Sequence, residues 1–141
     1  VSRASNLRTP LTYATAASLA VALSGCNGAY PKPRSLTVGQ LAALLKNPNP
    51  PKLYDANGDR TRREYGVIPG ATLLPSSRSY ALDVLPRDKS TELVFYCASV
   101  WCGAAETAAG RALAAGYSAV SVLPDGIKGW REAGMPTNKP N

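Results

Sequence analysis

The chain has 141 residues, 45% of them hydrophobic, and carries a net charge of +7 from 16 Lys and Arg against 9 Asp and Glu; this holds one folded domain and excludes a disordered chain. It contains no histidine and three cysteines, which excludes a Ser-His-Asp triad, a Cys-His dyad, an HExxH zinc site, a disulfide scaffold and a zinc site closed by four thiolates. A single Phe leaves little aromatic surface for stacking bases, so no nucleic-acid partner is expected, and neither is a metal or a cofactor.

The N-terminus reads as a targeting segment. Arg3 and Arg8 precede an uncharged stretch from Leu11 to Gly25. That is roughly 15 residues, the size of a signal-peptide apolar region and short of the ~20 that span a bilayer. It ends Leu23-Ser24-Gly25-Cys26, which resembles a bacterial lipobox, where the cysteine becomes the first mature residue and carries a lipid. The expectation is a lipoprotein-type signal peptide over residues 1–25, lipidation at Cys26 and a tether over 26–35 containing Gly28, Pro31 and Pro33. The protein would then be exported and held at the cell envelope or in the periplasm by a membrane anchor. An ordinary signal peptide cut nearby, or a buried N-terminal helix, are the alternatives. Basic charge suits anionic headgroups or anionic substrates, and equally plain solubility.

Thr37 followed by Val38, Leu41, Leu44 and Leu45 predicts an N-cap and a short amphipathic helix, stopped by Asn47-Pro48-Asn49-Pro50-Pro51. Lys52 to Asp55 is a brief strand, and Asn57-Gly58-Asp59 a turn. Arg60, Arg62 and Arg63 form a tight basic cluster without interleaved aromatics, expected with Arg78 in solvated loops that approach the site. Ala71 to Leu74 reads as a strand and Ser79 to Leu85 as a weak helix. Leu93 to Tyr96 is the strongest strand, an apolar run of the kind buried on both faces of a parallel sheet. An Ala-rich helix from about Gly103 to Ala115 ends at Gly116. Val120 to Leu123 is the last strand, and Ile127 to Glu132 a final helix containing Trp130. Alternating strands and helices predict an α/β fold with a mainly parallel central sheet flanked by helices.

The chemistry points to Cys97, at the end of the strongest strand, where open α/β sheets form their sites. The loop Ala98-Ser99-Val100-Trp101-Cys102-Gly103 follows. If it curls around the sulfur, its N–H groups form an anion nest that lowers the thiol pKa. The plain alternative is a small buried hydrophobe. Trp101 would project from the loop tip, to line a substrate mouth or cap the core. Ser99 could donate to a bound anion.

Four segments in register carry a resemblance. Leu53-Tyr54-Asp55 resembles an early strand ending in Asp. Glu64-Tyr65-Gly66-Val67-Ile68-Pro69-Gly70-Ala71 resembles a shortened E-[YF]-x-x-G-H-I-P-G-A segment. Val94-Phe95-Tyr96-Cys97 resembles a strand delivering a catalytic cysteine. Gly116-Tyr117, Val120 to Leu123 and Gly126-Ile127-Lys128-Gly129-Trp130 resemble a G-[YF]…V…L-x-G-G-x-x-x-W ending. From about residue 36 to 137 the chain resembles a single rhodanese-like (sulfurtransferase) domain, with residues 138–141 as a tail. Its loop resembles a subgroup with a Cys-x4-Cys pattern.

The sequence departs from the family in several places. Asn57 stands where the family usually has an arginine two residues after the early Asp, Val67 replaces a histidine, and Asp125 replaces the first glycine of the final pair. The loop has no charged residue between Cys97 and Glu106. Gly103 holds the position at which the phosphatases and arsenate reductases of this fold place the arginine of Cys-x5-Arg, which argues against that oxyanion chemistry.

The resemblance implies a sulfurtransferase of the thiosulfate or 3-mercaptopyruvate type. Cys97 would take a sulfane sulfur from a small sulfur-containing anion or persulfide donor, become a persulfide, and pass the sulfur to a thiol or cyanide acceptor. Thiosulfate, a dianion, would lean on a loop cation that this chain lacks. Cys102 is read two ways: a resolving thiol in a Cys97/Cys102 redox step, or a cysteine packed at the helix start. The alternative for the whole domain is a catalytically inactive rhodanese-like binding module at the cell envelope.

Overall fold

A computed structural model describes residues 31–140. The segment 1–25, Cys26 and the start of the tether lie outside the described residues. Five parallel strands, β1 (Arg34–Ser35), β2 (Lys52–Asp55), β3 (Thr72–Leu73), β4 (Leu93–Tyr96) and β5 (Val120–Leu123), form one sheet in the order β1-β5-β4-β2-β3. Four α-helices accompany them: α1 (Val38–Leu44), α2 (Asp59–Tyr65), α3 (Ala104–Ala114) and α4 (Gly126–Glu132). The expected α/β class and single parallel-sheet domain are what the chain folds into.

Strand alternation divides the core in two. Leu93 and Phe95 of β4 and Val120 and Val122 of β5 face α3, together with Tyr54 and Tyr80. Val94, Tyr96 and Leu123 face the other side, with Leu41 of α1 and Ile127 and Trp130 of α4. Helix α3 turns Ala105, Ala108, Ala109 and Ala112 to the sheet, one helical face of small side chains that lets the backbone sit close. Tyr80 closes over it by donating its hydroxyl to the Ala108 carbonyl at 2.8 Å. Helix α1 is entered through a full capping box: the Gln40 N–H donates to Thr37 Oγ1 at 3.2 Å, and the Thr37 N–H to Gln40 Oε1 at 2.8 Å. Trp130 is core, its indole N–H donating to the Pro136 carbonyl at 2.8 Å.

Several expectations are corrected. The turn at Asn57-Gly58-Asp59 leads directly into α2, so Arg60, Arg62 and Arg63 sit on a helix rather than in a loop. The weak helix over Ser79 to Leu85 is only a single 3-10 turn at Leu82–Val84. Ala71 to Leu74 contracts to the two-residue β3. Arg34 and Ser35, the last of the tether, form an edge strand on β5, paired with Ser121 and Val122. Asn138, the first residue of the tail, forms an antiparallel bridge with Val67. Among the described residues no helix is long and apolar enough to cross a membrane.

The sheet is parallel, so the C-terminal ends of β2, β4 and β5 share one edge. That edge carries Asp55 to Asn57, Cys97 and its loop, and Asp125 with Gly126.

Candidate active site

Cys97 leaves β4 directly after the buried Tyr96 and is itself only 2% exposed. Two hydrogen bonds from the start of α4 hold the loop's root. The Ile127 N–H donates to the Cys97 carbonyl at 2.9 Å, and the Lys128 N–H to the Ala98 carbonyl at 3.1 Å. This close approach requires Gly126. Its φ is +60°, and a Cβ there would stand 2.4 Å from the Cys97 carbonyl oxygen. The loop then folds over in a turn, the Cys102 N–H donating to the Ser99 carbonyl at 2.9 Å, and enters α3 at Ala104.

The sulfur faces mixed dipoles. The N–H groups of Ala98 and Ala105 approach it and favour the thiolate. The Cys102 carbonyl also faces it and accepts the Cys97 S–H at 2.8 Å. Burial first, and then the neighbouring Cys102 side chain, outweigh the N–H groups and push the thiol up to about 12 from its ordinary 9.0. The expected lowering of the Cys97 pKa is therefore corrected: burial and the neighbouring Cys102 side chain, not the loop's N–H groups, set its direction. Cys97 and Cys102 are both free thiols.

The loop tip is a separate environment. Trp101 is 93% exposed and Val100 61%, so Trp101 does not cap the core. With Ser99, both line an open cleft of about 740 Å³ shared with Thr37 of the α1 cap and with Asp125, Lys128 and Glu132 around α4. Lys128 is the one cation in that lining, and Cys97 lies behind the loop rather than on the cleft wall. Of the four arginines, only Arg62 departs from the expected solvated surface. Arg60, Arg63 and Arg78 are exposed, whereas Arg62 is buried at the end of β2.

Sequence reasoning missed what Arg62 does. Its Nη2 donates to the carbonyls of Asp55 at 3.0 Å and Leu74 at 2.8 Å. Its Nε lies 3.5 Å from Asp55 Oδ1. Asp55 also accepts from the Tyr96 hydroxyl at 2.8 Å and the Asn57 N–H at 2.7 Å, and the Ile68 N–H donates to the Tyr96 hydroxyl at 3.1 Å. Asn57 lies two residues past Asp55, and the buried guanidinium beside that carboxylate comes from α2. Only an arginine in a predicted helix beside the strand-end Asp would have signalled this, and α2 has no apolar periodicity to predict it.

A sequence model of the rhodanese-like domain matches residues 37–133. The chain belongs to the rhodanese-like domain family. No curated protein matches it. Solved structures do. A rhodanese-like domain protein from Staphylococcus aureus is 24% identical, with a TM-score of 0.55, over 74% of this chain and 98% of that one. Thiosulfate sulfurtransferase from Pseudomonas aeruginosa is 25% identical, with a TM-score of 0.56, over 74% of this chain but only 20% of that one. A protein from Rhodopseudomonas palustris described as a possible tyrosine phosphatase is 24% identical, with a TM-score of 0.60, over 75% of this chain and 85% of that one. That last likeness is one of fold. Gly103 stands where a Cys-x5-Arg loop would close, so the side-chain cation of such a site is missing. Within the rhodanese-like domain, Cys97 heads the loop and Cys102 lies beside its sulfur, while Ala98, Ser99, Val100, Trp101 and Gly103 complete the turn. Among the described residues no group of three or more Cys, Asp or Glu side chains is arranged to hold a metal ion.

Proposed function

We propose that this chain is a sulfurtransferase that carries sulfur as a persulfide on Cys97. The observation that supports it best is the buried thiol at the C-terminal end of β4, heading a turn whose N–H groups at Ala98 and Ala105 approach the sulfur. The Cys97 thiolate attacks the sulfane sulfur of the donor, and a new S–S bond forms. In thiosulfate the donor's S–S bond breaks and sulfite leaves with the electron pair. In a persulfide donor the inner thiolate leaves; in 3-mercaptopyruvate the Cys97 thiolate attacks the thiol sulfur, the C–S bond breaks, and pyruvate leaves as its enolate and takes up a proton. An acceptor thiolate or cyanide then attacks the outer sulfur, and the Cys97 thiolate departs. The loop offers no side-chain cation, so the reading favours a donor of low charge over the thiosulfate dianion. Cys102, next to the sulfur, is placed to attack the Cys97 persulfide, releasing hydrosulfide and leaving a disulfide. Leu23 to Cys26 supports a lipid on Cys26 and export to the cell envelope, with the catalytic domain held near a membrane surface.

A second reading rests on the Cys97 thiol itself, whose burial and Cys102 neighbour hold its proton. On it the domain is a binding module that has kept the fold without the chemistry.

Intact mass of the full chain, exposed separately to thiosulfate and to 3-mercaptopyruvate, decides between them. The expected result is one added sulfur atom, more readily from 3-mercaptopyruvate, and none in Cys97→Ser. No added sulfur from either donor would move the conclusion to the binding module. The same spectrum of protein purified from membranes reads Cys26, where the absence of a lipid-sized mass would overturn the anchor.

A further inference from the structure

We propose that the peptide unit between Cys102 and Gly103 is a two-position gate on Cys97. With its carbonyl inward it holds the thiol neutral, and turned over it presents the Gly103 N–H and stabilises the thiolate. The inference deepens the reading of Cys97 as the sulfur-carrying nucleophile and rests on it.

The inward carbonyl is the first observation. Cys102 O stands 2.8 Å from Cys97 Sγ and accepts its proton. A carbonyl can only accept, so it binds the thiol and repels the thiolate; an N–H does the reverse. The sulfur already has two N–H groups near it, at Ala98 and Ala105. Of the backbone groups that face the sulfur, this carbonyl is the one that disfavours the thiolate, beside burial and the Cys102 side chain, which disfavour it as well.

The second observation is that nothing else holds this peptide. Among the described residues the Cys102 carbonyl has no other hydrogen-bond partner, and the Gly103 N–H has none at all. The first bond of α3 to reach back into the loop comes from the Thr107 N–H to the Gly103 carbonyl, one peptide further on, at 3.1 Å. Turning the unit over therefore breaks a single S–H···O bond and no helical bond. Gly103 is exposed, so the outward carbonyl meets water.

The third observation concerns the glycine. In the observed state Gly103 has φ −81° and ψ 8°, and a Cβ would meet nothing within 4 Å. Neither packing nor backbone conformation requires a glycine there, in contrast to Gly126 of α4, which packs against the root of this loop. A planar peptide turns over as a unit by rotating ψ of Cys102 and φ of Gly103 by roughly 180°. Gly103 then reaches positive φ, where any Cβ is penalised. The glycine is unexplained by the closed loop and required by the open one.

The test compares Gly103→Ala, Gly103→Ser and Gly103→Asn in the full chain. Ser and Asn cap a helix about equally well, but Asn tolerates positive φ far better. Cap quality and backbone freedom are thereby separated. The readout is the alkylation rate of Cys97 by iodoacetamide at pH 8, followed on the Cys97 peptide by mass spectrometry. In that reaction the thiolate forms a C–S bond, iodide leaves with the electron pair, and the thiol proton passes to solvent. The Ala and Ser variants are expected to react roughly tenfold more slowly than wild type, and the Asn variant within about threefold of it. Equal rates in all four proteins, or an Asn variant as slow as the Ser variant, would overturn the gate. Failure of the sulfurtransferase reading shows separately, as a wild-type chain that alkylates with this ranking but accepts no sulfur.

Discussion

Strands β2 and β4 end side by side, Asp55 opposite Tyr96 in register, and the two ends are built on opposite principles. At the end of β2 a buried carboxylate is held by the Tyr96 hydroxyl, the Asn57 N–H and the Arg62 guanidinium. Arg62 in turn ties the Asp55 and Leu74 carbonyls together. At the end of β4, one residue past Tyr96, the Cys97 thiol is held by a single hydrogen bond to one carbonyl. A buried charge is tolerable only when its partners are fixed, so the Asp55 end cannot be both charged and mobile. A neutral thiol costs little to bury, so the Cys97 end can be closed at rest and still be one backbone rotation from reactive. The first end is scaffold and the second is the proposed site of chemistry, though they touch.

The sharpest way to break this contrast is Arg62→Leu. It leaves Asp55 buried with two donors but no opposing charge, and the Leu74 carbonyl without Arg62, while the Asp55 carbonyl keeps the Leu74 N–H. Unfolding in urea is expected to show a loss of about 3 kcal/mol, the low end for a broken buried pair because Tyr96 and Asn57 remain. Cys97→Ser is expected to cost no more than about 1 kcal/mol in the same measurement. Similar costs for the two variants would mean that the ends do not differ in kind.

Alkaline titration probes both ends at a smaller scale. Burial pushes the Cys97 thiol up to about 12, and Tyr54 and Tyr80 to about 12. Burial, and then the Asp55 carboxylate, also raise Tyr96. Each group holds its proton more tightly folded than unfolded, so the unfolded chain releases protons first as pH rises. Their contribution is complete below the ordinary values of 9.0 for Cys and 10.0 for Tyr, and is lost as pH climbs towards about 12. The melting temperature should fall over that window. Cys97→Ser should remove the earliest part of the decline and leave the tyrosine part. An unchanged curve in that variant would mean that the thiol is not held protonated by the fold.

What could be read from the sequence follows from which forces are local. Strands β4 and β5 and the capped helix α1 declare themselves through apolar runs and a Thr37–Gln40 box within a few residues. The place of Cys97 at a strand end follows from the strand it ends, and Trp101 is legible only as a loop-tip residue, not as an exposed one. Helix α2 was illegible because its sequence, Asp59 to Tyr65, has no apolar stripe and buries only Arg62, whose partners lie on β2 and beyond β3. β1 was hidden for a related reason: two exposed residues after a proline owe their strand state to pairing with β5. The charge state of Cys97 was illegible at a finer level. It turns on burial and on which groups of the folded loop face the sulfur, and residue identity does not record that arrangement.

The smallest effect on stability is expected from Trp101→Ala, and it tests whether the loop tip and the sulfur are separate. At 93% exposure the indole buries almost nothing in the free chain, so its removal should change stability by no more than about 0.5 kcal/mol. Persulfide formation from 3-mercaptopyruvate should stay within about twofold, because the side chain does not touch Cys97 and the root of the loop is held by α4. A large aromatic so exposed at the tip of the Cys97 loop gains contact area only in a complex. Sulfur transfer to a protein thiol should therefore lose several-fold in kcat/KM while transfer to cyanide does not. If instead both acceptors slow together, the tip is coupled to the Cys102–Gly103 peptide behind it, and the reactive end of β4 extends from the sulfur to the indole.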